Sequence, residues 1–268
     1  MPNPQIESFS DVDHTSDPAF YPRFLDAGNA LASIRSAKPI ILKQLHLRDG
    51  QHVLDAGCGT GEDVAELADR VGPSGQAVGV DSSETMIQAA RHRVRADHRS
   101  IDFEQADVRA LPFADERFDA CRAERLLMHV PDPQRAISEL VRVTRRGGRL
   151  CLFDFDWDSH FVDSPYRETT RTVVRSFADG IRNGWIARQL PRLLSEHGIT
   201  DISYQAHTVF LDEPFYELLL GGHLRAAPTT GTLTHSALQR WWEHLHAAAT
   251  NGTFLAGVTA LIVAGTRQ

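Results

Sequence analysis

Residues 53–61 read Val-Leu-Asp-Ala-Gly-Cys-Gly-Thr-Gly and join a short apolar strand to an amphipathic helix. Glycines in such a loop let the backbone turn tightly and approach a ligand without a Cβ in the way. The first turn of the helix that follows presents free N–H groups to a negative or electron-rich group. This stretch therefore predicts the ligand-binding strand–loop–helix unit of an α/β protein.

The glycine spacing narrows the choice of ligand. A dinucleotide fingerprint has the spacing G-x-G-x-x-G and holds a pyrophosphate, whereas this loop is G-x-G-x-G with Asp55 just before it. A carboxylate there repels pyrophosphate but suits an ammonium group. Asp81 ends the next predicted strand, 20 residues past Gly61, where an acid accepts hydrogen bonds from ribose hydroxyls. S-adenosylmethionine has an ammonium, a ribose and an adenine but no phosphate, so the spacing favours it over NAD.

Strand-like and helix-like segments alternate from residue 51 onward, which predicts a parallel sheet with helices on both faces. Before this region, residues 1–18 are rich in Asp, Ser and Pro and are expected to be loosely ordered. Residues 19–47 are expected to form two helices separated at Pro39, because proline disfavours a helix interior. The predicted strands are 51–55, 76–81, 101–105, 117–122 and 149–155, and the predicted helices are 62–71, 83–96 and 132–146.

After residue 160 the alternation of strands and helices ends, and the sequence pattern becomes mainly helical. Helices are predicted over 164–183 and 185–197, a strand over 201–211, more helix over 212–250 with an interruption at 227–231, and a last strand over 253–266. We divide the chain into an N-terminal helical lid, residues 1–48, and a ligand-binding α/β domain, residues 49–268. Helical cap insertions at about 160–200 and 212–250 would lie over the ligand site.

Composition limits the classes of function. The chain has 268 residues, 42% of them hydrophobic and 24% charged, which are ordinary globular values. The formal net charge of −7 does not favour nucleic acid or anionic membranes as partners. The three cysteines form no CxxC pair, which argues against a structural zinc site or a disulfide framework. With no apolar targeting segment near Met1, we expect a cytoplasmic protein, either a monomer or a homo-oligomer, that needs no metal.

The chain resembles the class I S-adenosylmethionine-dependent methyltransferases, in particular the ubiquinone/menaquinone-biosynthesis type and its small-molecule relatives. The resemblance covers residues 50–157 and rests on five motifs in order: VLDAGCGTG, GVDSS, ADVRALPFADERFDA, LLMHVPDP and RVTRRGGRL. It implies a Rossmann-like, seven-stranded sheet with an antiparallel last strand. It also implies methyl transfer to a small organic molecule, with quinone-like biosynthesis or secondary metabolism as the expected setting.

The resemblance further implies which residues hold S-adenosylmethionine. Asp55, Gly57, Gly59, Thr60 and Gly61 would surround the methionine end. Other positions complete the implied site: Asp81 and Ser82 at the ribose, Met86, Asp107 and Val108 at the adenine, Ala123 through its carbonyl at the ammonium, and Arg35 at the carboxylate.

Three side chains are candidates for the chemical step. His129 follows the fourth strand, and its ordinary pKa near 6.5 suits a general base, although it could instead pack locally before Pro131. Asp154 and Asp156 end the fifth strand on the ligand-binding edge of the sheet. Either could orient His129 or meet the substrate, and both could equally be solvated acids. Glu124 and Arg125 are interpreted as a structural ion pair at the pocket mouth.

Other functions remain as alternatives. Base-directed nucleic-acid methyltransferases carry an N-P-P-Y-like run where this chain reads Ala123-Glu-Arg-Leu126, which argues against that class. A dehydrogenase is opposed by the loop spacing. A non-methylating relative, such as a cyclase or a binding module, could keep the same glycine motif and stays open.

Overall fold

The computed structural model describes residues 6–94, 100–226 and 233–268. Seven strands form a single sheet in the order β3-β2-β1-β4-β5-β7-β6. Strands β1 to β5 run parallel to one another, and β7 lies antiparallel between β5 and β6. The expected α/β sheet and its reversed last strand are confirmed. The strands are β1 His52–Ala56, β2 Gln76–Asp81, β3 Ile101–Gln105, β4 Phe118–Glu124, β5 Thr144–Val162, β6 Ile199–Leu211 and β7 Ala256–Arg267.

Helices flank the sheet on both faces and fill its crossover connections. A 3-10 helix, Ile6–His14, precedes them. The α-helices are α1 Phe20–Ala30, α2 Ala32–Gln44, α3 Glu62–Val71, α4 Glu84–Arg93, α5 Pro133–Val143, α6 Arg167–Gly180, α7 Ile186–Glu196, α8 Glu213–Ala226 and α9 His235–Thr250. The described part of the chain contains no helix long and apolar enough to cross a membrane.

The amphipathic pattern of α3 explains how the central helices pack. Val64, Leu67, Ala68 and Val71 recur at helical spacing and are all buried. The strands β1, β2 and β4 beneath are buried along most of their length. This apolar contact fixes the start of α3, and therefore the glycine loop, at the carboxyl edge of the sheet.

Pro39 does not separate two helices, which corrects the expectation from the sequence. It lies inside α2, and the break falls at Leu31, whose φ of −59° and ψ of 129° are non-helical. The buried face of α2, which includes Ile34, Ala37 and Ile41, packs in the core. This burial outweighs the hydrogen bond that the proline removes.

Other boundaries also differ from the prediction. Residues 6–14 form a 3-10 helix kinked at Asp11 instead of a loose segment, and Asp13 anchors it to the start of α4. Helix α5 ends at Val143, since Thr144 already pairs with Phe118 of β4. Strand β5 continues to Val162 through pairing of Phe161 and Val162 with β7. The interruption predicted at 227–231 lies outside the described residues.

Candidate active site

A cavity of ≈270 Å³ opens at the carboxyl edge of the parallel strands. It has two unlike parts. Its polar end is formed by Asp55, Gly57, Asp63, Arg122 and Glu124 around the glycine loop. What we call the apolar chamber has walls of large apolar side chains from α1, the segment after β4, and the late strands and helices. These are Phe24, Leu126, Met128, Phe155, Trp157, Leu211, Phe215 and Leu219.

The glycine loop is built in conformations that other residues rarely adopt. Gly57 and Gly59 have φ values of 71° and 51°. A Cβ on Gly57 would lie 2.7 Å from Leu126 Cδ1, and one on Gly59 would lie 2.7 Å from Leu25 Cδ1. The backbone angle therefore favours glycine at both positions, and at Gly57 the three close atoms of Leu126 add a steric reason. Thr60 also lines the cavity, whereas Gly61 begins α3 and is not among the lining residues.

Asp81 ties the second strand to the glycine loop. Its Oδ2 accepts a hydrogen bond from the Gly59 N–H at 3.0 Å, and its Oδ1 accepts one from the Ser83 N–H at 3.0 Å. Burial raises the pKa of this carboxyl, although the backbone N–H groups oppose that shift. Ser82 and Met86 line the cavity beside it. The structure thus brings together the three residues that the sequence placed near the ribose and adenine.

The neighbouring wall contains Asp107 and Val108, as expected from the sequence. Asp107 accepts three hydrogen bonds from the Arg109 guanidinium, the shortest of them 2.6 Å. These bonds lower the pKa of Asp107. Arg109 itself lines the cavity and was not singled out from the sequence.

A buried ion cluster centred on Arg122 underlies the polar end. Arg122 is 1% exposed, and its guanidinium lies 3.2 Å from Asp55 Oδ1 and 3.0 Å from Asp63 Oδ2 and also bonds to Glu124. Lys38 of α2 reaches the same cluster, with Nζ 2.6 Å from both Asp63 Oδ2 and Glu124 Oε1. Three carboxylates and two cations share this space with little water.

The acids of the cluster have different pKa values, because burial and the neighbouring charges act on them to different extents. Burial raises the pKa of Asp55 to about 7, and Arg122 only partly offsets it. Burial also raises the pKa of Asp63, but Arg122 and Lys38 outweigh it and hold that pKa far below its ordinary value. The sequence did not point to Lys38, Asp63 or Arg122. An arginine within an otherwise apolar buried strand was the available signal.

Arg125 borders both parts of the cavity. Its backbone is left-handed, with a φ of 53°, and its N–H donates to the Phe153 carbonyl at 2.7 Å. The guanidinium bonds to Asn29 of α1 and lies 3.2 Å from Glu124 Oε1, so the expected ion pair with Glu124 is present. Its buried Nε has no hydrogen-bond partner among the described residues.

Two residues assigned to the cofactor lie elsewhere. Arg35 is exposed on α2 and is not among the lining residues. The break at Leu31 sets the face of α2 that meets the sheet, and that face presents Lys38 in place of Arg35. Ala123 is buried in β4 between Ala56 and Leu152 and also lies outside the lining.

His129 lines the cavity where the lid meets the apolar chamber. Its imidazole stacks on Phe9, with ring centroids 5.1 Å apart and planes 28° apart. Burial, helped by the charges of Arg125 and Arg182, lowers its pKa to about 3. The ring is therefore neutral at pH 7, and a group with so low a pKa is a weak proton acceptor. This differs from the ordinary pKa on which the general-base hypothesis was based.

Neither carboxylate at the end of β5 orients the His129 ring, which corrects that part of the prediction. Asp154 is 2% exposed, and its Oδ2 accepts from the Leu127 N–H at 2.9 Å. It thereby fixes the backbone of the segment that carries His129, and burial raises its pKa to about 7. Asp156 instead forms a forked ion pair with Arg188 of α7. Neither acid is among the lining residues, because the segment after β4 covers Asp154 and α7 covers Asp156.

The N-terminal segment covers the cavity from outside. Phe9, Ser10 and Val12 line it, and Val12 packs with Tyr21 and Met86. Asp13 bonds to the start of α4, accepting from Ser83 Oγ at 2.7 Å and from the Glu84 N–H at 2.8 Å. This segment therefore closes the site next to Asp81.

Outside the cavity, Glu213 and Glu217 of α8 approach His246 of α9. Their ligand-type atoms lie within 4.8 Å of one another. His246 Nε2 lies 3.2 Å from Glu213 Oε1, so an ion pair accounts for the approach when the imidazole is protonated. None of the three lines the cavity.

A family model described as a methyltransferase domain matches residues 47–201, which contain the glycine loop, Asp81, Asp107 and the segment after β4. The match covers more than half of the chain and agrees with the geometry of the loop. This chain belongs to the class I S-adenosylmethionine-dependent methyltransferases.

Similar proteins include several bacterial relatives of this methyltransferase. An uncharacterized 37.1 kDa protein in transposon TN4556 of Streptomyces fradiae is 39% identical over 244 residues, which cover 90% of this chain and 69% of that protein. Methyltransferase GfsG of Streptomyces halstedii is 36% identical over 62% of this chain and 60% of its own length. Demethylmenaquinone methyltransferase of Symbiobacterium thermophilum is 38% identical over 41% of this chain and 45% of its own length. The matched region thus spans less than two thirds of the last two relatives.

Solved structures share the fold at low sequence identity. The YcgJ protein of Bacillus subtilis superposes with a TM-score of 0.61 and 18% identity, over 87% of this methyltransferase and 99% of YcgJ. The (4+2)-cyclase SpnF superposes with a TM-score of 0.54 and 22% identity, over 87% of this chain and 81% of SpnF. Both comparisons extend the likeness beyond the glycine motif to most of the fold.

The polar end of the cavity fits the cofactor of this family. The glycine loop leaves a cradle that side chains would fill. Asp55 and Glu124 offer carboxylates for an ammonium group, and the Arg125 guanidinium at the border of the cavity offers donors for a carboxylate. Asp81 lies where ribose hydroxyls would meet it, beside Ser82 and Met86. The donor set therefore matches a zwitterionic amino acid joined to a nucleoside.

Proposed function

We propose that this methyltransferase transfers the methyl group of S-adenosylmethionine to a neutral, largely apolar small molecule held in the apolar chamber. One observation carries the proposal. A single cavity joins a polar end suited to the cofactor with a chamber walled by aromatic and aliphatic side chains, including Phe155, Trp157 and Phe215. Such walls bind flat or branched apolar molecules through buried area.

We propose the following cofactor contacts from the same geometry. Asp55, Gly57, Gly59 and Thr60 serve the methionine end, and Arg125 takes the place that the resemblance implied for Arg35. The ribose is taken by Asp81 and Ser82. Met86, Asp107 and Val108 enclose the adenine, and Gly61 supports the loop as the first turn of α3 begins.

The cofactor supplies a methyl group already activated by its bond to a sulfonium. The protein therefore has to position the acceptor in line with that methyl group and exclude water. The Phe9 ring and α1 close the cavity over this point, and the neutral imidazole of His129 can accept a hydrogen bond from an acceptor hydroxyl. With its pKa near 3, we assign it positioning of the acceptor and not full removal of a proton. Asp154 supports it through the backbone at Leu127, and we give Asp156 a structural role.

The name of one relative agrees with this acceptor class. Demethylmenaquinone is the acceptor named for one relative, and a quinone of that kind is neutral and apolar. A cyclase built on the same fold is the second candidate, because SpnF superposes on most of this chain. Retention of the complete polar end favours methyl transfer.

We also propose the division of the chain into a lid, residues 1–48, and a methyltransferase domain, residues 49–268, with caps near 160–200 and 212–250. The lid and the cap near 212–250 contribute side chains to the cavity, which supports that part of the division, whereas the described residues of the cap near 160–200 do not line it. Cytoplasmic location, absence of nucleic-acid and membrane partners, independence of metal, and a monomer or homo-oligomer remain predictions from composition.

The test is an acceptor panel read out by formation of S-adenosylhomocysteine. Each neutral aromatic alcohol or quinol is paired with a charged analogue that keeps the same hydroxyl, such as 1-naphthol with 5-hydroxynaphthalene-1-sulfonate. We expect turnover with neutral members only. Turnover confined to phosphorylated or otherwise charged members would contradict the proposal.

A further inference from the structure

Two buried polar side chains outside the cofactor site have no hydrogen-bond partner among the described residues. His160, on the extension of β5, is 6% exposed and Tyr216, on α8, is fully buried. Both ring nitrogens of His160 and the hydroxyl of Tyr216 are unpartnered. Their ring centroids lie 5.4 Å apart. Buried polar groups in proteins are nearly always paired, so two adjacent exceptions require an explanation.

The surroundings of this pair are aromatic. Trp157 and Phe177 present their rings edge-on to His160, with centroids 6.3 Å and 6.1 Å away. On the other side, Trp241 and Phe254 lie 6.3 Å and 5.6 Å from Tyr216. The Trp241 indole N–H donates to Thr170 Oγ1 at 2.9 Å, so it does not bond to His160 or Tyr216.

The protonation states of the pair define the chemistry it can recognise. Burial lowers the pKa of His160 to about 4 and raises that of Tyr216 well above its ordinary value, so both are neutral at pH 7. A neutral imidazole has one donor and one acceptor, and a phenol has one donor and an acceptor oxygen. Two neighbouring donors in an apolar setting match a neutral oxygen, such as a carbonyl or a hydroxyl.

The pair lies directly behind the wall of the apolar chamber. Trp157 lines the chamber on one side and contacts His160 on the other. Phe215 precedes Tyr216 in α8, and both Phe215 and Leu219 line the chamber. The Trp157 indole N–H donates to Met128 Sδ at 3.3 Å, and a thioether is a weak acceptor. Neither His160 nor Tyr216 is among the residues that line the cavity, so Trp157 has to turn aside for an acceptor to reach the pair.

We propose that His160 and Tyr216 form a second subsite of the acceptor chamber that binds a neutral oxygen of the acceptor, distant from the atom that is methylated. This inference rests on the proposed function and deepens it. The acceptor then has an apolar body, a nucleophilic atom near His129 and a carbonyl or hydroxyl oxygen at its far end. His160 and Tyr216 act as specificity-determining residues.

The subsite can be tested by binding, without a known substrate. The probes are 1-tetralone and tetralin, which differ by one carbonyl oxygen, titrated into protein saturated with S-adenosylhomocysteine. We expect the wild type to bind 1-tetralone at least 10-fold more tightly than tetralin. Tyr216→Phe and His160→Leu should each reduce that preference at least threefold while tetralin affinity stays the same. Thr170→Val, which removes the partner of Trp241, is the matched control and should leave the preference unchanged.

Two results would overturn the subsite. The first is that the wild type shows no preference for 1-tetralone over tetralin, or that its preference survives both substitutions. The other is a structure in which a water molecule bridges His160 and Tyr216 and stays in place with 1-tetralone bound. Tyr216→Phe removes a single oxygen, so it keeps the test valid if His160→Leu does not fold. Failure of the acceptor panel alone, with the probe preference intact, would contradict the methyl-transfer proposal but not the subsite.

Discussion

The ring of Phe9 stacks on the imidazole of His129, with centroids 5.1 Å apart. This contact joins the N-terminal 3-10 helix to the segment after β4, across the mouth of the cavity. The same helix is anchored at its other end by Asp13 on the first turn of α4. One short segment therefore connects the two places where the cofactor and the acceptor would be covered.

Asp13→Ala should weaken binding of S-adenosylhomocysteine by roughly 10-fold, or about 1.4 kcal/mol, because charge-assisted hydrogen bonds that hold the lid are lost. Calorimetry measures the affinity, and limited proteolysis should cut the N-terminal segment faster in the variant. Asp11→Ala is the control, since Asp11 pairs with an exposed His14. Equal affinity and equal protection in Asp13→Ala would show that the segment is not a lid.

Arg125→Met should raise the dissociation constant of S-adenosylmethionine by about 10–100-fold, the range expected for a hydrogen bond to a charged group. Lys38 and Arg122 still neutralise Glu124 in this variant. Arg35→Met should change the constant by less than about twofold, because Arg35 is exposed and does not line the cavity. The reverse order of effects would restore Arg35 to the carboxylate and remove Arg125.

His129→Gln and His129→Ala separate positioning from proton removal. If the imidazole only accepts a hydrogen bond, glutamine should keep turnover within about 10-fold, while alanine should lower it by roughly 10–100-fold. The pH–rate profile near neutral pH should be the same in wild type and His129→Gln, because burial holds the pKa of His129 at about 3 while Asp55 and Asp154 have pKa values of about 7. A wild-type inflection near 6.5 that is lost in both variants, with both slowed 10²–10⁴-fold, would instead identify a general base.

His160 should make folding sensitive to acid. Its pKa is about 4 in the folded protein against 6.5 when unfolded, so between these values the unfolded chain binds more protons. The free energy of unfolding therefore falls as the pH drops from 6.5 to 4, by about 3 kcal/mol from this group. Denaturant unfolding should show a smaller loss in His160→Leu, whereas replacing the exposed His92 should change nothing. Parallel pH curves for His160→Leu and wild type would refute this.

The sequence predicted those parts of the structure that residues close together in the chain determine. The glycine loop, Asp81 and the buried face of α3 follow from residues within a few positions of one another. Positive φ values at Gly57 and Gly59, and the parallel order of the central strands, agree with that pattern. The sequence also placed His129 at the cavity, since chain direction at the end of β4 determines its position.

Features that depend on distant contacts were missed. Asp13 caps the start of α4 from about 70 residues earlier in the chain, and no local sequence pattern indicates a capping residue so far away. Lys38 and Arg122 meet Asp63 only because α2 packs against β5 and β6, and the position of the helix break at Leu31 instead of Pro39 decides that Lys38, not Arg35, faces inward. The His160–Tyr216 pair likewise requires knowing that β5 extends to Val162 and that α8 packs against it.

The most direct test of the central claim uses S-adenosylmethionine with a trideuterated methyl group. The protein is incubated with this cofactor and a pool of neutral small molecules, and mass spectrometry follows both products. We predict that S-adenosylhomocysteine forms in equal amount to one small molecule that has gained the trideuteromethyl group, and that Gly59→Val abolishes both. Conversion of a small molecule with no label gained and the cofactor unconsumed would contradict the account and identify a non-methylating relative.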